Sequence, residues 1–181
     1  MDKYLNDKTD NSYEDTVNDE TIRIKRFLEQ YANIAHMGGI VVSSGDKPII
    51  GTTALDTCTG IVFYDRKNRK GIVGHATDGG KIAILQSMIR LLEKNENLVI
   101  EYAIVSGYRN MEKGDYSGVA ELMNYLETHC PNNIKLVPFQ NLDVRVCSNI
   151  LAYEFAFEVN TGQNVADYLF YDKGKSSRKY Y

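Results

Sequence analysis

The chain has few cysteines, no long apolar run and no excess of positive charge, and each absence excludes a class of protein. Its three cysteines are odd in number and lack the dense spacing of a disulfide scaffold, which indicates a reducing compartment. The apolar runs fall far short of the roughly 20 residues of a membrane helix, and the N-terminus has no apolar signal core. A net charge of -3 is unfavourable for binding the phosphates of a nucleic acid. The sequence predicts a soluble cytoplasmic protein with neither a nucleic-acid nor a membrane partner.

Standard cofactor and metal motifs are also missing. No Gly-x-Gly-x-x-Gly follows a strand-like run, no Cys-x-x-Cys is present, and the pair Gly80-Lys81 is followed by Ile82 rather than by serine or threonine. The other histidines and cysteines show no zinc-ligand spacing: His36, His129, Cys130 and Cys147. We therefore expect no cofactor and no metal, and we expect Cys147 to pack on a strand.

The composition indicates one domain with charged ends. With 181 residues, 43% of them hydrophobic, the chain is long enough to bury a core. Residues 1–17 are predicted to form an acidic disordered leader, because residues 1–20 carry seven acidic side chains and only two lysines. Residues 18–172 form the predicted domain, and residues 173–181 form a basic tail that is either solvated or in contact with acidic partners.

Hydrophobic periodicity predicts alternating helices and strands. Helices are predicted over residues 19–36, 80–94 and 116–129, and strands over residues 39–44, 61–64, 71–75 and 98–105. Residues 151–159 alternate, which predicts one buried and one wetter face, and a turn at 160–162 leads to a predicted return strand over 165–171. Strands predominate and hairpins recur. The predicted fold is therefore α+β, a β-sandwich of mixed or antiparallel strands flanked by helices.

Cys58 and His75 are predicted to meet at the open end of a hairpin. The polar segment 66–70 separates two strand-like runs, so the chain is expected to double back there. Counting outward from the middle of this segment places Val62 opposite Gly74, and Cys58 near His75. An imidazole beside a thiol activates it as a nucleophile. The alternative is that both residues are inert, since cysteine is among the most buried residue types.

The spacing around Cys58 resembles that of a known deamidase family. Thr52, Cys58 and His75 are separated by six and seventeen residues, which is similar to the threonine, cysteine and histidine of the chemoreceptor glutamine deamidase CheD. Segments 56–58, 75–79, 105–108 and 159–162 are similar, in order, to segments of the N-terminal asparagine amidohydrolase. The resemblance spans roughly residues 39–171. The deamidase domains of cytotoxic necrotizing factor toxins are a more distant likeness.

The resemblance implies a CheD-like deamidase fold and a cysteine amidohydrolase. Its substrate would be a protein or peptide that carries a glutamine or asparagine side-chain amide. Cys58 would attack the amide carbon, His75 would take the thiol proton and later protonate ammonia, and the Thr52 oxygen would orient the imidazole. Backbone N–H groups near Cys58 would stabilise the oxyanion. Without the resemblance, the favoured explanation of Thr52 is a hydroxyl that caps backbone at a strand end.

Four residues near this pair are candidates for substrate binding. Asp56 and Thr57 stand where CheD carries Gly-Ser, and a carboxylate beside the thiol would raise its pKa unless it faces away. Asp56 and Asp78 are candidates for binding a substrate amine. Gly79, at a helix start, either offers N–H donors to a substrate carbonyl or simply makes the turn. Residues 108–110 either rim the pocket or form an ordinary loop.

Other functions stay open. One is a catalytically silent protein-binding domain of the same fold. Another is a transamidase or cysteine protease, because an amine can resolve the same thioester and the same thiol can attack a peptide bond. The likeness to toxins also leaves open an effector delivered to a host cytosol. Neither the substrate protein nor the oligomeric state follows from the sequence.

Overall fold

The computed structural model describes residues 22–92, 97–147 and 151–170. Within these ranges the chain forms nine strands and five helices. No helix in this part of the chain has both the length and the apolar character needed to cross a membrane. The predicted leader over 1–17 and tail over 173–181 lie outside the described residues.

Strands and helices are numbered separately, each in chain order. The strands are β1 (Ala32–Ala35), β2 (Ile40–Val42), β3 (Ile49–Leu55), β4 (Thr59–Asp65), β5 (Lys70–Ala76), β6 (Leu98–Val105), β7 (Ile134–Pro138), β8 (Arg145–Cys147) and β9 (Ala152–Glu158). The helices are α1 (residues 22–30), α2 (Lys81–Leu92), α3 (Tyr108–Glu112), α4 (Ser117–His129) and α5 (Ala166–Leu169). Cys147 accordingly lies at the end of a strand.

The strands form two mixed sheets. One has four strands in the order β1-β3-β9-β8, and the other has five in the order β2-β5-β4-β6-β7. Each sheet contains one parallel pair at an edge, β1 with β3 and β6 with β7, and the remaining pairs are antiparallel.

The two sheets pack face to face, and β4 shows how the layers are built. This strand is buried along its whole length, as expected of a strand covered on both faces. Val62 and Tyr64 belong to the core between the sheets. Ile61 and Phe63 belong to the core between the five-stranded sheet and helices α2 and α4.

The outer face of the four-stranded sheet is covered by the remaining helices. Ile49 of β3 and Ala156 of β9 form a small core with Ala166 and Leu169 of α5, and Leu28 of α1 packs against it. The result is a two-sheet sandwich with helices on both sides. The predicted α+β fold class is confirmed.

The first predicted helix is too long at its C-terminal end. Helix α1 ends at residue 30, and Ala32–Ala35 instead forms β1, which pairs in parallel with Ile49–Thr52 of β3. The helical periodicity through Ile34 and Ala35 is misleading, because both side chains pack as strand residues. Pairing with a neighbouring strand here overrides the local pattern.

The prediction of a return strand over 165–171 is wrong. Gly162 makes the turn with a φ of 72°, but only one bridge, Phe157 with Asn164, follows before the chain enters α5. Ala166 and Leu169 are both buried, and their spacing of three residues suits one face of a helix. The predicted wetter face of 151–159 is also buried, since Glu154 is 3% exposed.

The predicted hairpin is present, but its register differs by one residue. Val62 pairs with Val73 rather than Gly74, and Asp65 pairs with Lys70. The Asp65 carboxylate accepts hydrogen bonds from the backbone N–H and the side-chain amide of Asn68. These contacts close a loop of four residues. The midpoint of the turn therefore lies between two residues, whereas the prediction centred the turn on one residue. Since side chains alternate along a strand, this shift decides which residues share a face.

Candidate active site

The β4–β5 hairpin places His75 beside the start of β4, next to the bend that carries Cys58. His75 lies opposite Gly60, and Cys58 precedes Gly60 by two residues. Cys58 thus lies in the bend that leads into β4, close to the end of the hairpin at which His75 lies. Cys58 belongs to the core between the sheets, and a Cβ on Gly60 would collide with the side chains of Phe155 and Leu55 in this core. The hairpin thus places Cys58 and His75 near the same end, as the sequence predicts.

Thr52 approaches His75 from the opposite sheet. It is fully buried on β3, and its Oγ1 lies 2.8 Å from the carbonyl oxygen of Ala35 and 2.9 Å from Nδ1 of His75. A carbonyl oxygen only accepts, so the Thr52 hydroxyl donates its hydrogen to Ala35 and accepts one from Nδ1–H. Thr52 therefore selects the tautomer of the neutral ring in which Nε2 is the basic atom.

The other ring nitrogen of His75 is unpaired. Nε2 is buried and has no hydrogen-bond partner among the described residues, and the residue is 2% exposed. Burial lowers the pKa of His75 below its ordinary value, the Ala35 carbonyl opposes this shift, and His36 adds to it. A buried acceptor without a partner is costly and needs an explanation. Accepting a proton during a reaction is one.

The thiol of Cys58 is also held in its neutral form. Cys58 is 7% exposed, and its pKa is raised above the ordinary value by burial, and then by the carboxylates of Asp78 and Asp56. The resting pair is thus a thiol beside a neutral imidazole, rather than a thiolate beside an imidazolium. Nucleophilic attack then requires that His75 take the thiol proton as the new bond forms.

The segment after β6 holds the loop that carries Cys58. The Arg109 backbone N–H donates to the Asp56 carbonyl oxygen at 3.0 Å, and the Asn110 side-chain amide donates to the Thr57 carbonyl oxygen at 2.9 Å. A Cβ on Gly107 would collide with the Asp56 carbonyl, so only glycine allows this close approach. We name the segment Gly107–Asn110 the clamp.

The four candidate substrate-binding residues fall in two loops. Asp56 Oδ1 lies 2.9 Å from Arg109 Nε, so this carboxylate is ion-paired, whereas Thr57 is exposed. Asp78 and Gly79 are exposed between β5 and α2. The nearest cation to Asp78 is Lys81, at 3.8 Å. Nothing lies within 4 Å of a Cβ built on Gly79, so the space beside this backbone is open.

Three contributions to the site do not emerge from the sequence reasoning. Gly60, opposite His75, leaves room for Phe155 and Leu55 beside the site, and its position two residues after the cysteine is a signal that could have found it. Ala35 contributes only its backbone carbonyl, and such a contribution cannot be recognised from the residue type. Gly107 lies 49 residues beyond Cys58, and its role depends on how β4 and β6 pair.

The chain matches no protein-family model, and no curated protein is significantly similar to it in sequence. Within the described ranges, no group of three or more His, Cys, Asp or Glu side chains is placed to hold a metal ion.

Proposed function

We propose that the protein is a cysteine amidohydrolase that converts the side-chain amide of glutamine or asparagine, in a protein or peptide, to the acid. One observation carries the proposal. Thr52 binds one nitrogen of the His75 ring, and the other nitrogen is buried without a partner among the described residues, at the end of the hairpin next to the bend that carries Cys58. The resemblance of the spacing of these three residues to the CheD deamidases supports the same reaction.

The proposed reaction starts from a neutral thiol. As Sγ of Cys58 attacks the amide carbon, Nε2 of His75 takes the thiol proton and the carbonyl oxygen becomes an oxyanion. The carbon–nitrogen bond then breaks, and the imidazolium gives its proton to the leaving nitrogen, so ammonia departs and a thioester remains. Water attacks the thioester carbon and gives a proton to Nε2. Sulfur leaves and takes that proton back, which releases the acid and restores the thiol.

A backbone donor for the oxyanion lies next to the nucleophile. No backbone hydrogen bond from the N–H of Cys58 is found among the described residues, so we assign this group as an oxyanion donor. Such donors stabilise the charge that develops in the transition state. The clamp fixes the carbonyl oxygens of Asp56 and Thr57 and so orients the peptide planes that lead to Cys58.

Substrate contacts are assigned to the two loops beside the thiol. Thr57, Asp78 and Gly79 are exposed there, and we propose that they contact the substrate backbone or a substrate amine. Asp56 is the weaker candidate for an amine, because Arg109 already pairs with it. The reaction needs a reduced Cys58, and we therefore place it in a cytoplasm or, for a delivered effector, in a host cytosol.

The proposal is tested by incubating a peptide library with the wild-type protein and with Cys58→Ala. Mass spectrometry should find amide-to-acid conversion of glutamine or asparagine with the wild type only. Cys130→Ala, which removes a half-buried free thiol elsewhere, should retain activity. Cleaved peptides without side-chain conversion would instead indicate a protease, and amine adducts would indicate a transamidase.

A catalytically silent protein-binding domain is the second candidate. It is favoured by the raised pKa of Cys58, because a thiol that stays protonated is a poor nucleophile. A thiol-selective probe separates the two. If the native protein at neutral pH reacts at Cys58 no faster than at Cys130 or Cys147, the silent domain is the better explanation.

A further inference from the structure

Arg109 holds Asp56 in two ways at once. Its side-chain Nε lies 2.9 Å from Asp56 Oδ1, an ion-pair contact without hydrogen-bond geometry, and its backbone N–H donates to the Asp56 carbonyl oxygen at 3.0 Å. One residue thus binds both the charge and the backbone of a position that lies two residues before the thiol. An exposed ion pair alone is weak, but here the backbone bond fixes where the guanidinium stands relative to the loop.

The negative charge of Asp56 opposes ionisation of the Cys58 thiol unless a cation neutralises it. A carboxylate near a thiol opposes its ionisation, and a cation beside that carboxylate cancels part of the effect. Two anionic side chains, Asp56 and Asp78, act on Cys58. Asp78 lies in the loop before α2, with Lys81 at 3.8 Å, and His75 lies on β5 opposite Gly60. Arg109 is the cation that pairs directly with Asp56.

We propose that Arg109 is a positioning residue for the nucleophile: it anchors the loop at Asp56 and neutralises the carboxylate, so that Cys58 loses its proton beside an ion pair rather than beside a free negative charge. This inference rests on the proposed nucleophilic role of Cys58. It assigns to Arg109 an electrostatic function in addition to a structural one.

The test is the rate at which iodoacetamide alkylates Cys58 as a function of pH. The Cys58 thiolate displaces iodide from the reagent, and peptide mapping of the full-length protein measures the modification at this residue separately from the other cysteines. In Arg109→Gln the apparent thiol pKa should rise, and the rate at neutral pH should fall about threefold, as expected for one exposed ion pair. The difference should shrink at high salt, because screening weakens exposed pairs.

Two further variants separate charge from structure. Asp56→Asn/Arg109→Gln removes both charges and should return the apparent thiol pKa close to that of the wild type. Arg109→Lys keeps the charge and should stay closer to the wild type than Arg109→Gln does. If Arg109→Gln leaves the pH profile unchanged, or the double variant titrates like Arg109→Gln, the electrostatic role is refuted. If Arg109→Gln fails to fold, the double variant and Arg109→Lys can still each be compared with the wild type.

Arg66→Gln is the matched control. Arg66 pairs with Glu101, and its replacement changes the net charge equally, but it follows Cys58 by eight residues, about 26 Å along an extended strand. This variant should leave the Cys58 profile unaltered. A protein in which Cys58 alkylates with this pattern but hydrolyses no amide would refute the proposed function while supporting the role of Arg109.

Discussion

At the scale of the residue, Thr52 is the member of the site whose role is best defined by its contacts. Its single hydroxyl donates to a carbonyl oxygen and accepts from the imidazole, so neither bond can reverse without breaking the other. Both groups are buried, and an unpaired buried group is costly. The tautomer of His75 is thereby set by the fold before any substrate binds.

We expect Thr52→Val to reduce the proposed amide hydrolysis about 100-fold, because the ring loses the partner that keeps Nε2 basic and oriented. Valine closely matches the shape of threonine but lacks the hydroxyl. Thr52→Ser keeps the hydroxyl and should retain most of the activity. The rates are measured with the substrate found for the wild type. Comparable activity in Thr52→Val and Thr52→Ser would contradict the orienting role.

The sequence places Cys58 and His75 at the same end of a hairpin, but the predicted register sets His75 opposite Ile61 rather than Gly60, and so on the other strand face. The hydrogen bond between Thr52 and His75 agrees with the role that the resemblance implies for Thr52. The pairing of Asp56 with Arg109 is not predictable in this way. These residues are separated by 53 positions, and their contact depends on β4 and β6 pairing side by side. The sequence alone therefore presents Asp56 as a free carboxylate, whereas the fold pairs it with a cation.

At the scale of the element, the clamp Gly107–Asn110 connects the end of β6 to the loop before β4. Gly60 pairs with Val105 at the last register of β4 and β6, so the chain beyond each strand end continues side by side. Gly107 then packs against the backbone of residues 56–58. A short segment that is remote in sequence thus determines where the thiol stands.

Gly107→Ala should displace the nucleophile loop and abolish most of the proposed activity. The added Cβ would collide with the Asp56 carbonyl and would lie 2.7 Å from the Cys58 carbonyl oxygen. Backbone cannot move aside as a flexible side chain can, so the loop has to shift. Gly45→Ala is the control, because nothing lies within 4 Å of its Cβ. Equal activity of these two variants, measured at equal folded fraction, would show that the clamp does not position the thiol.

The elements that the sequence predicts well are those whose pattern is long and whose partners are local. Helices α2 and α4 and strand β6 carry clear periodicity, and the β4–β5 hairpin carries its own turn signal. Strand β1 and helix α5 are predicted wrongly because each has only four residues, and tertiary contacts decide so short a segment. The register error in the hairpin comes from the side chain of Asp65, which sets the loop length.

At the scale of the whole molecule, the site is part of the core that joins the two sheets. Thr52 comes from one sheet, His75 comes from the other, and Cys58 lies in the connection between them. Cys58 is packed in the same core as Leu55 and Phe155. The groups that would perform the chemistry therefore also contribute to the stability of the sandwich, and their ionisation is coupled to unfolding.

His75→Gln should make the free energy of unfolding less dependent on pH below about 6.5. The pKa of folded His75 is lowered, chiefly by burial, from an ordinary value of 6.5, so below that pH the unfolded chain binds a proton that the folded chain does not. The wild type accordingly loses stability as pH falls through this window, by at most about 1.4 kcal/mol per pH unit, and keeps the contribution in full above it. Glu154 is present in both the wild type and His75→Gln, so its titration cancels when their free energies of unfolding are compared.

Urea unfolding at a series of pH values measures this difference. Above about pH 7.5, the wild type and His75→Gln should differ by a constant amount, and the gap should change steadily as the pH is lowered. His129→Gln, which removes an exposed histidine, controls for the loss of an imidazole. If the two stability curves are parallel over the whole pH range, the buried ring of His75 takes up its proton as readily in the folded protein as in the unfolded chain. The neutral thiol–imidazole pair from which the proposed reaction starts would then have to be abandoned.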